Sequence, residues 1–228
     1  MFNFVKKNLN NLINLFGLYI ILIIFLDAFQ KDYFTFLDFD LTVIYNSIQV
    51  ISQENQTYKD HPAFSQFFFY GLFYKLYGLF NPSFPLDLDN LLNENDVDYY
   101  LQKFYILSRV VNTIFCLLFF VYIKKILFFF QINRFYIFIS LLFTLTTTGF
   151  VLNAIILRAD IIALSLFLIS MYYLLDFIKN NKKYKLFIFS FCLIFSLSAK
   201  VQIIFFYLFL FIFIVFYFAN IKKITGNL

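Results

Sequence analysis

Two carboxylates one residue apart, Asp38 and Asp40 in FLDFDL, lie just beyond the first hydrophobic run of a 228-residue chain. On extended backbone both would point to one side, as alternate side chains do. Such a pair could act as a base or as a metal-assisted acid pair, or be two ordinary solvated acids. The single histidine, His61, stands in a His-Pro pair. An unperturbed imidazole titrates near pH 6.5, so it suits a proton donor or a phosphate partner, as well as a turn fixed by Pro62. Arg158-Ala-Asp160 opens a later apolar run. A guanidinium suits bidentate phosphate binding, although Arg158 could snorkel to the membrane surface and Asp160 could cap a helix. Arg109 has the same two readings. Lys200 interrupts an otherwise uncharged stretch, 186–219, where a cation could neutralise a lipid-linked phosphate.

The elements that must hold these residues are membrane spans. The chain is 62% hydrophobic and only 14% charged, with a mean hydropathy of +0.81. Soluble domains average about 45–50% apolar and about 25% charged. The 39 Phe and 17 Tyr with no Trp read as coding bias. Cys116 and Cys192 both fall in apolar runs and read as buried small hydrophobes, not as a disulfide or metal framework. One histidine and scattered carboxylates make a zinc site improbable.

Apolar runs occur at 12–26, 104–123, 135–157, 161–178, 186–199 and 203–219. A span needs roughly 20 apolar residues. The last two runs are short and form either two helices or one broken one. The first run resembles a signal peptide, but DAFQKD follows it with no small-residue cleavage site, which makes it a retained span. Within the acidic loop, about 27–104, stretches 40–51 and 63–79 have helical potential. The second of these reads as an interfacial helix with its aromatics inward. Residues 81–103 read as a solvated insertion.

Eleven of the 18 basic residues fall at alternate ends of the runs: Lys6 and Lys7; Lys124, Lys125 and Arg134; Lys179, Lys182, Lys183 and Lys185; Lys222 and Lys223. Positive charge marks the cytoplasmic side. This predicts six spans with both termini inside and excludes a nucleic-acid reading of the +5 net charge. It also predicts that Asp38, Asp40, His61, Arg109, Arg158, Asp160 and Lys200 share the extracytoplasmic face. Charged groups near membrane depth are costly and are functional candidates by default. Compact loops and the charge bias favour a bacterial inner membrane.

In order, these residues resemble the GT-C superfamily of glycosyltransferases, nearest to the protein mannosyltransferase and aminoarabinose transferase group. The counterparts of the family's motifs are DFD (Asp38–Asp40), HPAF (His61–Phe64), KLYG (Lys75–Gly78), SRVVN with Arg109 and Asn112, RAD (Arg158–Asp160) and LSAK (Leu197–Lys200). Leu41, not Glu, follows Asp40, and Ala63 replaces a second proline. Relatives continue into further spans, so 1–228 reads as one transmembrane domain that is a fragment, an amino-terminal half or a degenerate copy. The resemblance implies an all-α polytopic fold and transfer of a sugar from a polyprenyl-phosphate donor to an acceptor lipid, glycan or protein. Asp40, with Asp38 as helper or rival, would be the base. Arg158 and Lys200 would bind phosphate, with Arg109 assisting and His61 and Asp160 at the substrate. Some relatives use a divalent metal at the acidic motif, and this sequence decides neither for nor against one. A small transporter or flippase for an anionic lipid-linked substrate, and a non-catalytic membrane protein, are the alternatives.

Overall fold

The computed structural model describes residues 2–55, 63–212 and 215, with only the backbone described at 2–7 and 36–39. Every regular element among them is helical. The order is α1 (Phe2–Phe29), a 3-10 turn at Tyr33–Phe36, α2 (Leu37–Ser52), α3 (Phe64–Phe80), α4 (Leu88–Leu92), α5 (Val97–Phe129), α6 (Arg134–Thr146), α7 (Thr148–Ile155), α8 (Ala159–Asn180), α9 (Lys183–Ala199) and α10 (Ile203–Ile212).

Three helices are long and apolar enough to cross a membrane: α1 from Asn8, α5 and α8. A fourth span is counted if α6 and α7 are taken together. By length and composition the described residues therefore give three or four spans where the sequence reading expected six. The run 135–157 is not one straight helix, because α6 and α7 bend by 54° at Thr147. Thr147 has extended backbone, ends α6, and accepts the Phe150 N–H on its hydroxyl at 3.3 Å. It thus acts as an N-cap within an apolar run, the usual role of a threonine whose side chain competes with the helix ladder. The run 186–219 is also broken, at Lys200–Gln202, between α9 and α10.

Side-chain contacts fix the helix directions. Lys124 on α5 donates to Asn14 on α1 at 2.6 Å, while Tyr33, past the end of α1, meets Gln102 and Asp98 near the start of α5. These two helices are antiparallel. Ser165 on α8 donates to the Phe115 carbonyl, and Tyr172 packs on Tyr122, so α5 and α8 run parallel. Helix α9 returns along α8, with Ser196 on the Ala163 carbonyl and Lys185 paired to Asp176. Helix α10 follows α8 again through Tyr207, which meets Ser170 and Phe167. The bundle therefore has a lysine end, with Lys124, Lys125, Lys179 and Lys185, and a loop end, with α2 to α4 and the α7–α8 junction.

Helix α1 buries one stripe, Ile13, Ile21, Ile24 and Ala28, and leaves Leu15, Leu18, Leu22 and Leu26 exposed. That outward apolar face is compatible with an integral membrane protein. Lipid tails are as apolar as the side chains, so close packing has to drive helix association. Gly17 supplies it, since a Cβ there would stand 2.3 Å from the Phe120 ring. Gly71 does the same between α2 and α3, where a Cβ would come within 2.7 Å of the Ser47 carbonyl oxygen.

Stretches 40–51 and 63–79 form α2 and α3, as the sequence predicts. Residues 81–103 depart from expectation, because they are not simply a solvated insertion. Phe84 and Leu91 are in the core, Phe84 against Phe104 at a ring separation of 4.4 Å. Asp87 and Asp96 cap α4 and α5, which accounts for two of the acids in this cluster. Cys116 and Cys192 are free and buried.

Candidate functional site

Residues 38 and 40 stand in the first turn of α2, not on extended backbone. At about 100° per residue, positions two apart lie on different faces of a helix. The extended backbone on which the two carboxylates would share a side is therefore not what the structure has at 38–40, and the Asp38 side chain lies outside the described atoms. Asp40 points into the protein and is fully buried.

Asp40 accepts two hydrogen bonds from partners remote in sequence. Its Oδ2 takes Arg109 Nη2 at 2.9 Å and its Oδ1 takes the Leu157 N–H at 2.8 Å. Arg109 also donates to the Tyr105 hydroxyl and lies over that ring, 4.4 Å from its centroid. Arg109 is 1% exposed, and its Nε and Nη1 have no hydrogen-bond partner among the described residues. Burial pushes the Asp40 carboxyl up to about 6; the Arg109 charge and the Leu157 N–H oppose that rise without cancelling it. At neutral pH the pair is ionic.

The reason Leu157 needs Asp40 is the break between α7 and α8. Ile156 and Arg158 are extended; the Ile156 N–H still reaches the Leu152 carbonyl and the Arg158 N–H the Ile156 carbonyl, but the Leu157 N–H and carbonyl are left to side chains. Unsatisfied groups at membrane depth cost several kcal/mol, and irregular backbone survives only where protein satisfies it. Asn112 Nδ2 donates to the carbonyls of Ala154 and Ile156, each at 3.3 Å. Gln66 Nε2 donates to the Leu157 carbonyl at 2.8 Å. Tyr70 donates to Asn112 Oδ1 at 2.7 Å and accepts from Gln66 at 3.3 Å. Side chains from α2, α3 and α5 thus converge on one unwound segment.

Three residues past Leu157, Asp160 pairs with Lys200. Both are partly exposed, at 25% and 35%. Lys200 ends α9 in extended conformation, and this turn is what lifts a lysine out of an apolar run. Arg158, not Asp160, is the N-cap residue of α8 and is exposed. Asp160 sits in the first helical turn, where its charge complements the helix dipole. Ser65, in the first turn of α3, donates to the Phe195 carbonyl at 2.7 Å and meets Ser198, which ties α3 to the approach to Lys200.

Of the seven residues singled out in the sequence, Asp40, Arg109, Arg158, Asp160 and Lys200 gather on the segment 157–160 and its immediate partners. Asp38 shares the first turn of α2. His61 lies outside the described residues. Sequence reasoning missed Gln66, Tyr70, Tyr105 and the Leu157 backbone. A signal was present, since Gln66, Tyr70 and Tyr74 recur every four residues, as do Tyr105 and Arg109, marking one helix face. Gln66 and Tyr70 are both buried.

A divalent ion does not suit Asp40 as arranged. One Asp40 oxygen takes an N–H, the other faces a guanidinium, and no group of three or more potential metal ligands occurs among the described residues. Comparison of the chain with protein-family models, with curated proteins and with solved structures finds no match.

Proposed function

We propose that the chain is a membrane glycosyltransferase that moves a sugar from a polyprenyl-phosphate donor to an acceptor at the loop end of the bundle. One observation carries the reading: an acid, Asp40, and three cations, Arg109, Arg158 and Lys200, collect around the same unwound segment. Sugar transfer needs a carboxylate to take the acceptor proton. It also needs fixed positive charge where the phosphate departs. Arg158 and Lys200, exposed or partly exposed beside an α-helix N-terminus, suit the second task. Asp40, ionised at neutral pH, suits the first once its buried carboxylate is reached. The lysine end would face the cytoplasm and the loop end the opposite side.

A second reading is favoured by the full burial of Asp40 and by the bonding of both its oxygens. Here Asp40 and Arg109 only hold the break together in a non-catalytic membrane protein. Membranes expressing the chain, supplied with radiolabelled polyprenyl-phosphate sugars, decide between the two. Transfer that falls at least tenfold in R158Q and K200Q, with the protein still folded, supports the enzyme. If no donor in the panel is used by folded wild type, the glycosyltransferase reading is wrong.

A further inference from the structure

We infer that the lysine end of the bundle is a binding site for the phosphate headgroup of an anionic phospholipid. The site is built where the parallel helices α5 and α8 finish side by side and the α8–α9 turn crosses next to them. Lys124 and Lys125 on α5, Lys179 on α8, and Lys182, Lys183 and Lys185 at the turn bring six cations together. One carboxylate, Asp176, stands among them, and it is already taken by Lys185 and Asn180.

Lys124 and Lys125 carry the argument. Both are half-buried, and neither has a carboxylate partner among the described residues. Lys124 donates to a neutral amide oxygen, Asn14 Oδ1, at 2.6 Å. Lys125 lies over two tyrosine rings, Tyr122 at 4.5 Å and Tyr172 at 5.2 Å, which are themselves packed edge to face. Aromatic faces attract an ammonium but bring no net charge. A half-desolvated cation without a counter-ion is costly, and no described carboxylate supplies one, which leaves these two lysines open to an external anion.

The position selects which anion. Helices α5 and α8 are spans that end at Phe129 and Asn180; Lys179 occupies the last turn of α8, Lys182 and Lys183 the turn beyond, and Lys124 and Lys125 stand about one turn before the end of α5, within reach of the interface for a long side chain. That is the depth of lipid phosphates, and Tyr122, Tyr172 and Tyr173 supply the aromatic belt found at that level. Exposed Lys179, Lys182 and Lys183 extend the positive surface outward. Basic clusters between spans on one membrane face bind anionic headgroups in this manner. This inference does not depend on the proposed glycosyltransferase activity, which belongs to the opposite end of the bundle.

The test uses the purified full chain in a neutral detergent, titrated with short-chain phosphatidylglycerol or short-chain phosphatidylcholine. The shift of the thermal unfolding midpoint reports binding. Wild type should bind the anionic lipid on the order of tenfold more tightly than the zwitterionic one at low salt, and the preference should shrink as salt is raised. K124Q/K125Q should weaken anionic binding by about fivefold per lysine removed and leave binding of the zwitterionic lipid unchanged. Equal binding of the two lipids by wild type overturns the inference, as does a preference that K124Q/K125Q retains. Should K124Q/K125Q fail to fold, K182Q/K183Q replaces it, because both side chains are exposed. Anionic preference untouched by K182Q/K183Q and by salt would equally overturn it.

Discussion

The carboxylate of Asp40 and the backbone N–H of Leu157, 117 residues apart in sequence, meet at 2.8 Å inside the protein. This bond joins the first helix of the loop to the break before α8. It makes the acid of the sequence motif a partner of the unwound segment that presents Arg158 and Asp160.

Breaking the pair from one side should be far worse than replacing both members. R109M leaves a buried carboxylate with one N–H partner, and loss of one member of a buried ion pair costs about 3–5 kcal/mol. D40N/R109M keeps an acceptor for Leu157 and removes both charges, so it should recover most of that loss. Thermal unfolding of the three proteins in detergent checks the order: wild type, then the double variant, then R109M.

The stability should depend on pH through Asp40. Its folded value of about 6 lies above the ordinary carboxylate value of 3.8. Between these values the folded protein holds a proton that the unfolded chain has lost, so stability falls as pH rises through the window and levels off above about 6. The effect is on the order of 1–3 kcal/mol. D40N should flatten this slope in unfolding experiments between pH 4.5 and 7.5. The same ionisation predicts sugar transfer that declines as the pH is lowered through about 6.

Asn112 should matter beyond its size. N112L leaves the Ala154 carbonyl without its Asn112 donor and the Tyr70 hydroxyl without its acceptor, while the Ile156 carbonyl keeps the Arg158 N–H at 2.7 Å; each stranded buried group costs about 1–3 kcal/mol. Y70F removes only the hydroxyl, so it should cost less, about 1–2 kcal/mol. Unfolding midpoints of the two variants measure the difference.

Glycine substitutions separate helix packing from helix propensity. G71A places a methyl 2.5 Å from Ile51 Cγ2 and 2.7 Å from the Ser47 carbonyl oxygen, so α2 and α3 have to move apart, at about 1–3 kcal/mol. G149A meets nothing within 4 Å and should be neutral or stabilising by up to about 1 kcal/mol. The two midpoints should move in opposite directions, or G149A not at all.

Local composition determined much of this protein in advance. Apolar runs of sufficient length made α1, α5 and α8 legible, because a hydrocarbon core sets a minimum length that the sequence either meets or does not. Alternating lysine clusters showed that helix ends sort into two groups, since each span reverses the chain. The stretches that form α2 and α3 were legible as having helical potential.

Tertiary structure decided the rest. Thr147 breaks an apolar run that counting reads as one span, because its hydroxyl competes with a backbone hydrogen bond that no hydropathy sum registers. The segment 156–158 unwinds only because Asn112, Gln66 and Asp40 arrive from three other helices to satisfy its backbone. Asp40 looks like any acid of the loop in sequence, but the fold buries it against Arg109 and the Leu157 N–H. Lys200 looked stranded in an apolar run until the turn after α9 brought it to Asp160. Sequence carries the cost of each polar group, whereas the partner that offsets it is a property of the fold.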